Sequence, residues 1–273
     1  MGGTATTLRG LKYRGPIAGL LVAGAFGGLF SIPIGGWGGA GASAAYYYYN
    51  PGSGPVTLTL SPAAATNPVG TSHTVTATVT QDGSGVEGVV VRFTVTGSVT
   101  TSGTCTTDSA GQCTFTYTGP ALPGADLISA FADLNGNGMI DVGEPVATAT
   151  KAWIPPTSTP GQVTGGGQIA VGGHPVTFGL TAKSTSNGVK GECTVVDRDA
   201  KRMIKCTDAT TLVQAANQAT IYGHATDNGA STTYVIHVAD NATPGSGADT
   251  FSIQTMSGYT ASGTLTAGNI QTH

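Results

Sequence analysis

The chain has 273 residues, room for about two ordinary domains. Only 9% of them are charged, against roughly 25% in soluble domains, while glycine reaches 43 copies. The formal net charge is −3 and no basic stripe occurs, which excludes a nucleic-acid binder.

In chain order, Arg9, Lys12 and Arg14 make a basic opening, Gly15 to Trp37 carries no charge, and Ala42-x-Ala44 follows. This predicts a secretory signal over residues 1–44. The uncharged run is also long enough to span a bilayer, so an uncleaved anchor is the alternative and the sole membrane contact expected. Without those three basic residues, 8 Lys and Arg face 14 Asp and Glu, a net charge of −6 that opposes docking on anionic lipid. Residues 45–54 hold four consecutive tyrosines before Asn50-Pro51-Gly52. They read as a flexible arm, or as a strand through which copies of the chain self-associate.

Residues 55–154 run in short alternating segments: "VTLTLSP", "SHTVTATVTQ", "VEGVVVRFTVTG", "GQCTFTYTG", "ADLISAFAD" and "PVATATKAWIPP". Period-two alternation of Val and Thr between turn residues predicts an antiparallel sandwich. Residues 155–162, rich in Pro, Ser and Thr, read as an extended, semi-rigid linker. Residues 163–273 form a second antiparallel β-domain, either sandwich or barrel. Within it Asn228-Gly229 predicts a type I′ hairpin that sets His224 opposite Thr233 and His237 opposite Thr220. The run "TGGGQ" lacks the lysine and helix a phosphate site needs and reads as close strand approach.

The four cysteines fall into two local pairs. A turn at Asp199-Ala200 places Cys193 opposite Cys206, and Cys105 and Cys113 flank the shorter turn "TTDSAGQ". Export favours disulfides, and opposed hairpin positions meet their distance requirement. No C-x-x-C occurs to favour zinc.

The runs "GVEGVVVRFTVTG", "TTDSAGQCTFTYTG", "GADLISAFADLNGNG" and "DVGEPVATATKAW" resemble a bacterial immunoglobulin-like domain of the group 1, invasin/intimin-like type, over roughly residues 55–154. That resemblance implies a sandwich in a secreted or surface protein, often a spacer or adhesive module. The runs "VTGGGQI", "GYTASGTL" and "GNIQTH" are similar to a small C-terminal β-domain of secreted bacterial proteins, found beside choice-of-anchor modules. It implies location and β architecture and no activity.

Residues 133–144, "DLNGNGMIDVGE", match the twelve-residue calcium loop. Asp133, Asn135 and Asn137 supply side-chain oxygens, Gly138 the sharp turn and Met139 a carbonyl. Asp141 stands at the ninth position and Glu144 is the bidentate closing ligand. Ile140 is expected to point into the core. Strand sequence precedes the loop and Pro145 follows it, so no helix pair flanks it. Three carboxylates predict a Kd of about 10⁻⁴–10⁻³ M and a structural role. A plain Asn/Gly-rich turn is the competing reading. Asp240, Asn241 and Asp249 bracket "ATPGSGA", which reads as a turn, or as a second, weaker metal loop.

None of the histidines (His73, His174, His224, His237, His273) forms a His-x-His or zinc-protease pattern, and no serine lies in a nucleophile elbow. A single tryptophan, Trp153, remains after residue 44, too few for a sugar-stacking row. The reading is therefore all-β and non-catalytic: a secreted or cell-surface structural or adhesion protein with calcium as its cofactor. Its partner is an extracellular protein or glycan. A ligand- or glycan-binding module, or an accessory protein of a secreted hydrolase, is the alternative. N-terminal sequencing of the exported protein should begin at Ala45; a cell-bound product that retains Met1 marks the anchor instead.

Overall fold

The structure is a computed structural model and describes residues 54–273; the signal region and most of the tyrosine arm lie outside the described residues. The described residues hold strands, turns and no helix. Nine strands come first: β1 (Val56–Ser61), β2 (Ala64–Pro68), β3 (Ser72–Gln81), β4 (Ser84–Gly85), β5 (Val90–Gly97), β6 (Thr101–Thr106), β7 (Gln112–Thr118), β8 (Gly124–Asp133) and β9 (Val146–Ile154). Nine follow: β10 (Gly161–Val171), β11 (His174–Thr185), β12 (Gly188–Asp197), β13 (Arg202–Cys206), β14 (Thr211–Ala215), β15 (Gln218–Asp227), β16 (Ala230–Ala239), β17 (Thr250–Thr255) and β18 (Thr260–Thr272).

The first nine strands form two sheets. In one, β3 is flanked by β1 on one edge and by β7 and the short β4 on the other. The other runs β2-β9-β8-β5-β6, antiparallel except for the parallel pair β2 and β9. Alternation decides which side chains meet. Along β3, His73, Val75, Ala77 and Val79 turn inward while the intervening residues face out. They join Leu58 and Leu60 of β1 against Val91, Phe93 and Val95 of β5 and Ile128, Ala130 and Ala132 of β8. Each fully buried Val, Leu or Phe contributes about 1.5–3 kcal/mol. Phe93 stacks on Phe115 of β7 with ring centroids 4.9 Å apart, linking the two sheets.

The later strands settle the open choice between sandwich and barrel. The order β13-β12-β11-β10-β18-β17-β16-β15 closes when β15 pairs back on β13, through Ile204↔Asp227, Lys205↔Thr226 and Cys206↔Ala225. The result is an eight-stranded antiparallel barrel. β14 takes the remaining stretch of that β15 edge, opposite residues 218–222. Side chains fill the interior, as expected for this strand number: Val176, Phe178, Leu180, Ile204, Ile236 and Phe251 are among them, and Phe178 stacks on Phe251 at 3.9 Å. The glycine run of β10 reflects close strand approach, since a Cβ on Gly167 would collide with the Ala267 carbonyl oxygen of β18.

Ser158 and Thr159, between β9 and β10, bond to the edge of β14. Thr159 N donates to Leu212 O (2.9 Å), Gln214 N donates to Thr159 Oγ1 (2.7 Å), and Leu212 N reaches Ser158 Oγ. Ser and Thr at these positions offer side-chain partners to the edge of β14, which a proline-rich extended reading does not anticipate. Tyr222 and Val235, paired across β15 and β16, turn away from the barrel interior and pack with the core of the first two sheets.

Both disulfides are present. Cys193–Cys206 joins the paired strands β12 and β13 with Cα atoms 4.8 Å apart. Cys105–Cys113, at 5.8 Å, differs from the hairpin bridge expected: β6 and β7 belong to different sheets, so this bond staples the two sheets together. The cause is the intervening turn, which carries the chain from one sheet to the other. Peptide mapping under non-reducing conditions should return these two local links and none between the two halves. Replacing Cys193 and Cys206 together by alanine should lower urea-measured stability by about 3 kcal/mol, from the chain entropy of a loop of this length.

Candidate functional site

The loop of residues 134–145 joins β8 to β9. Asp133, the last residue of β8, pairs with Val90 of β5 and is 3% exposed. Its Oδ2 accepts Arg92 Nε at 2.7 Å and Gly138 N at 2.9 Å, while its buried Oδ1 has no hydrogen-bond partner. The bond from Arg92 holds the Asp133 carboxyl below the usual carboxylate range. Burial opposes this, and the Gly138 amide and the charge of Arg92 reinforce it.

The remaining loop residues interlock. Asn137 N donates to Asn135 Oδ1 (2.9 Å) and Met139 N to Asn137 Oδ1 (2.7 Å). The side-chain amides of Asn135 and Asn137 both donate to Asp141 Oδ2. Glu144 closes the loop, accepting Leu134 N at 2.8 Å and Asp141 N at 3.1 Å. Gly138 makes the turn with φ of +79°, where a side chain would also press on the Arg92 guanidinium. Asp133, Asn135, Asn137, Asp141 and Glu144 are thus brought into one hydrogen-bonded loop, and with the Met139 carbonyl they are the oxygens that could hold a hard cation. The acids are spread between amides, and among the described residues no three His, Cys, Asp or Glu side chains form a metal cluster.

One expectation for this loop is corrected. Ile140 does not point into the core; it is 64% exposed, and Met139 and Val142 stand out beside it. The loop leaves the sheet before reaching Ile140, so strand alternation no longer steers that side chain inward. Each acid of the loop has a donor: Arg92 faces Asp133, and asparagine and backbone N–H groups bond Asp141 and Glu144.

A second polar cluster lies in the core of the first two sheets, and the sequence reading did not find it. Asp126 of β8 is paired with Lys151 of β9, and both are buried. Asp126 Oδ2 accepts Trp153 Nε1 at 2.6 Å and the Tyr117 hydroxyl at 3.2 Å; Oδ1 accepts Val99 N at 2.8 Å. Lys151 Nζ lies 4.4 Å from the Trp153 ring centroid. Burial pushes its pKa down, against the attraction of Asp126. His73 stands edge-on to Tyr117, its ring centroid 5.9 Å away. Burial, then the charge of Lys151, lowers its pKa. The signal available in the sequence was phase: Asp126 and Lys151 occupy inward positions of alternating strands.

In the barrel the Asn228-Gly229 turn has positive φ at both residues, and His224 and His237 stand opposite Thr233 and Thr220 as expected. Each of three histidines has its own partner: His174 with Asp199 at 2.8 Å, His224 with Asp208 at 3.0 Å, His237 with Thr220 Oγ1 at 2.9 Å. Asp249 is fully buried and accepts the backbone amides of Asn241, Ala242 and Ile270, while Asp240 accepts that of Thr272. These acids brace the turn before β17, which supports the turn reading there. On the outer wall a shallow groove of about 440 Å³ is lined by Gln218, Thr220, His237, Thr250, Ser252 and Ser262, with other small residues.

Set against known proteins, the chain matches no family model, and no curated protein sequence matches it.

The lowered pKa of His73 has a consequence for acid stability. The unfolded chain takes up this proton near pH 6.5, the folded protein only at lower pH, so the unfolded state binds more protons in between. Stability should therefore fall as pH drops below about 6.5, and His73→Leu should flatten that limb in chemical denaturation series between pH 7.5 and about 5. His237, whose pKa burial also lowers, should leave a residual slope.

Proposed function

We propose that this is a secreted or cell-surface structural or adhesion protein in which an immunoglobulin-like sandwich, braced by calcium, is followed by a small β-barrel, with no catalytic role. Several observations support it. The strands β1, β3 and β7 in one sheet and β5, β8 and β9 in the other divide as in immunoglobulin-like sandwiches. Two disulfides agree with an oxidising, extracellular setting. The resemblance of residues 55–154 to group 1 bacterial immunoglobulin-like domains points the same way, as does the signal-like segment at residues 1–44.

One observation carries the calcium reading: the Asp133 oxygen that is buried without a partner, inside a loop whose other oxygens stand at calcium-loop spacing. Such an atom is costly unless something completes it. Asp133, Asn135, Asn137, the Met139 carbonyl, Asp141 and Glu144 would hold the ion, pinning the end of β8 to the start of β9. The partner in this reading is an extracellular protein or glycan, with self-association through the tyrosine arm.

A second reading, a ligand- or glycan-binding module, rests on the barrel groove. Its hydroxyls, Gln218 amide and His237 suit an uncharged polyhydroxylated ligand. Buried Trp153 offers such a ligand no stacking surface.

Binding only the folded form stabilises by RT ln(1 + [L]/Kd), about 1.4 kcal/mol at ten times Kd. A thermal melt of the full chain in millimolar calcium against chelator should rise by about 2–4 °C. Glu144→Gln should remove most of that rise, and equal melting temperatures in all four samples would leave the loop as a plain turn.

A further inference from the structure

We propose that Arg92 is the resident counter-ion of the loop at residues 133–144 and sets the calcium concentration at which that loop fills. This rests on the calcium reading of the loop.

The Asp133 carboxylate is divided between two uses. Oδ2 is taken by Arg92 Nε at 2.7 Å and by the Gly138 amide, and Oδ1 is the buried atom without a partner. Arg92 also lies against the turn, since a Cβ on Gly138 would stand 3.3 Å from one of its guanidinium nitrogens. The guanidinium is therefore fixed beside the site. It stays charged at every accessible pH. A positive charge on one carboxylate oxygen weakens the pull of the other on an incoming cation.

Charge balance gives the second half of the argument. Asp133, Asp141 and Glu144 carry three negative charges and Arg92 returns one, leaving two, which is what one calcium ion neutralises. Hydrogen bonds also hold each acid of the loop in place. Arg92 secures its first residue, the Asn135 and Asn137 amides secure Asp141, and Glu144 holds two backbone amides. Arg92 thus does two things at once: it keeps the loop shaped without metal and it raises the concentration needed to load it. It does so from β5, across the ladder that pairs Val90 with Asp133, so the threshold is built into the sheet rather than the loop.

The test is calorimetric titration of the full chain with calcium chloride, comparing wild type with Arg92→Met, Arg92→Gln and Arg92→Lys, alongside melts in chelator. Removing the charge should tighten Kd about fivefold or more in Arg92→Met and Arg92→Gln. Arg92→Lys, which keeps the charge, should stay within about twofold of wild type. In chelator the two neutral variants should melt below wild type. Should one neutral variant fail to fold, the other carries the same comparison. Wild-type affinity or weaker binding in the neutral variants, with the wild type binding calcium, overturns the role of Arg92 and leaves the calcium reading standing. No calcium binding by the wild type overturns both.

Discussion

A fold built only from strands, as residues 54–273 are, must dispose of its sheet edges, because every edge presents unpaired backbone groups to solvent or to another molecule. Much of this fold follows from that constraint. The second half removes its edges by closure: three residue pairs between β13 and β15 turn a sheet into a barrel. β14 covers the rest of the β15 edge, and Ser158 and Thr159 then cover part of β14. The first half cannot close, so it secures its margins differently. β2 lies parallel along β9, and the Cys105–Cys113 bond ties the edge strand β6 to the opposite sheet.

What was legible in the sequence was local. Alternation marked the strands, and Asn228-Gly229 set the register of β15 and β16 because only residues tolerant of positive φ fit a type I′ turn. Cys193 and Cys206 stand symmetrically about one turn and meet across β12 and β13. What stayed hidden was non-local. Closure of β15 on β13 is not written in either strand, since it depends on how much twist the intervening strands accumulate. The same holds for Cys105 and Cys113: spacing gave the bond, but a turn within a sheet and a turn between sheets look alike in sequence. Ile140 failed for a related reason, as an inward position is defined only while the strand lasts.

The candidate site divides along the same line. The oxygen spacing of residues 133–144 could be read directly, because the candidate oxygens come from one contiguous loop. Arg92 could not, because it sits 41 residues away on β5 and meets Asp133 only through the sheet. A charge count taken from the loop alone therefore misses the guanidinium that faces Asp133. The cluster of His73, Tyr117, Asp126, Lys151 and Trp153 is assembled from four strands; phase marks Asp126 and Lys151 as inward, but no local pattern shows that the five meet.

With so few charged residues, where each one stands is informative. The buried acids act mainly as acceptors that organise neighbouring chain. Asp126 gathers Trp153, Tyr117 and the Val99 amide; Asp249 gathers three backbone amides around one turn. At one end of the barrel, Arg202 and Ser257 both donate to Asp227, and the Tyr259 hydroxyl donates to Asp197. A carboxylate suits this task because it accepts several hydrogen bonds at once, and bonds to a charged group are stronger than neutral ones. Turns in an all-β chain leave clusters of N–H groups pointing the same way, and one acid can satisfy several of them. Asp133 is built on the same plan, with an arginine and a glycine amide on one oxygen. Its second oxygen has no hydrogen-bond partner, and neither has that of Asp227, so what sets Asp133 apart is its place at the head of a loop whose other side-chain oxygens follow at every second position.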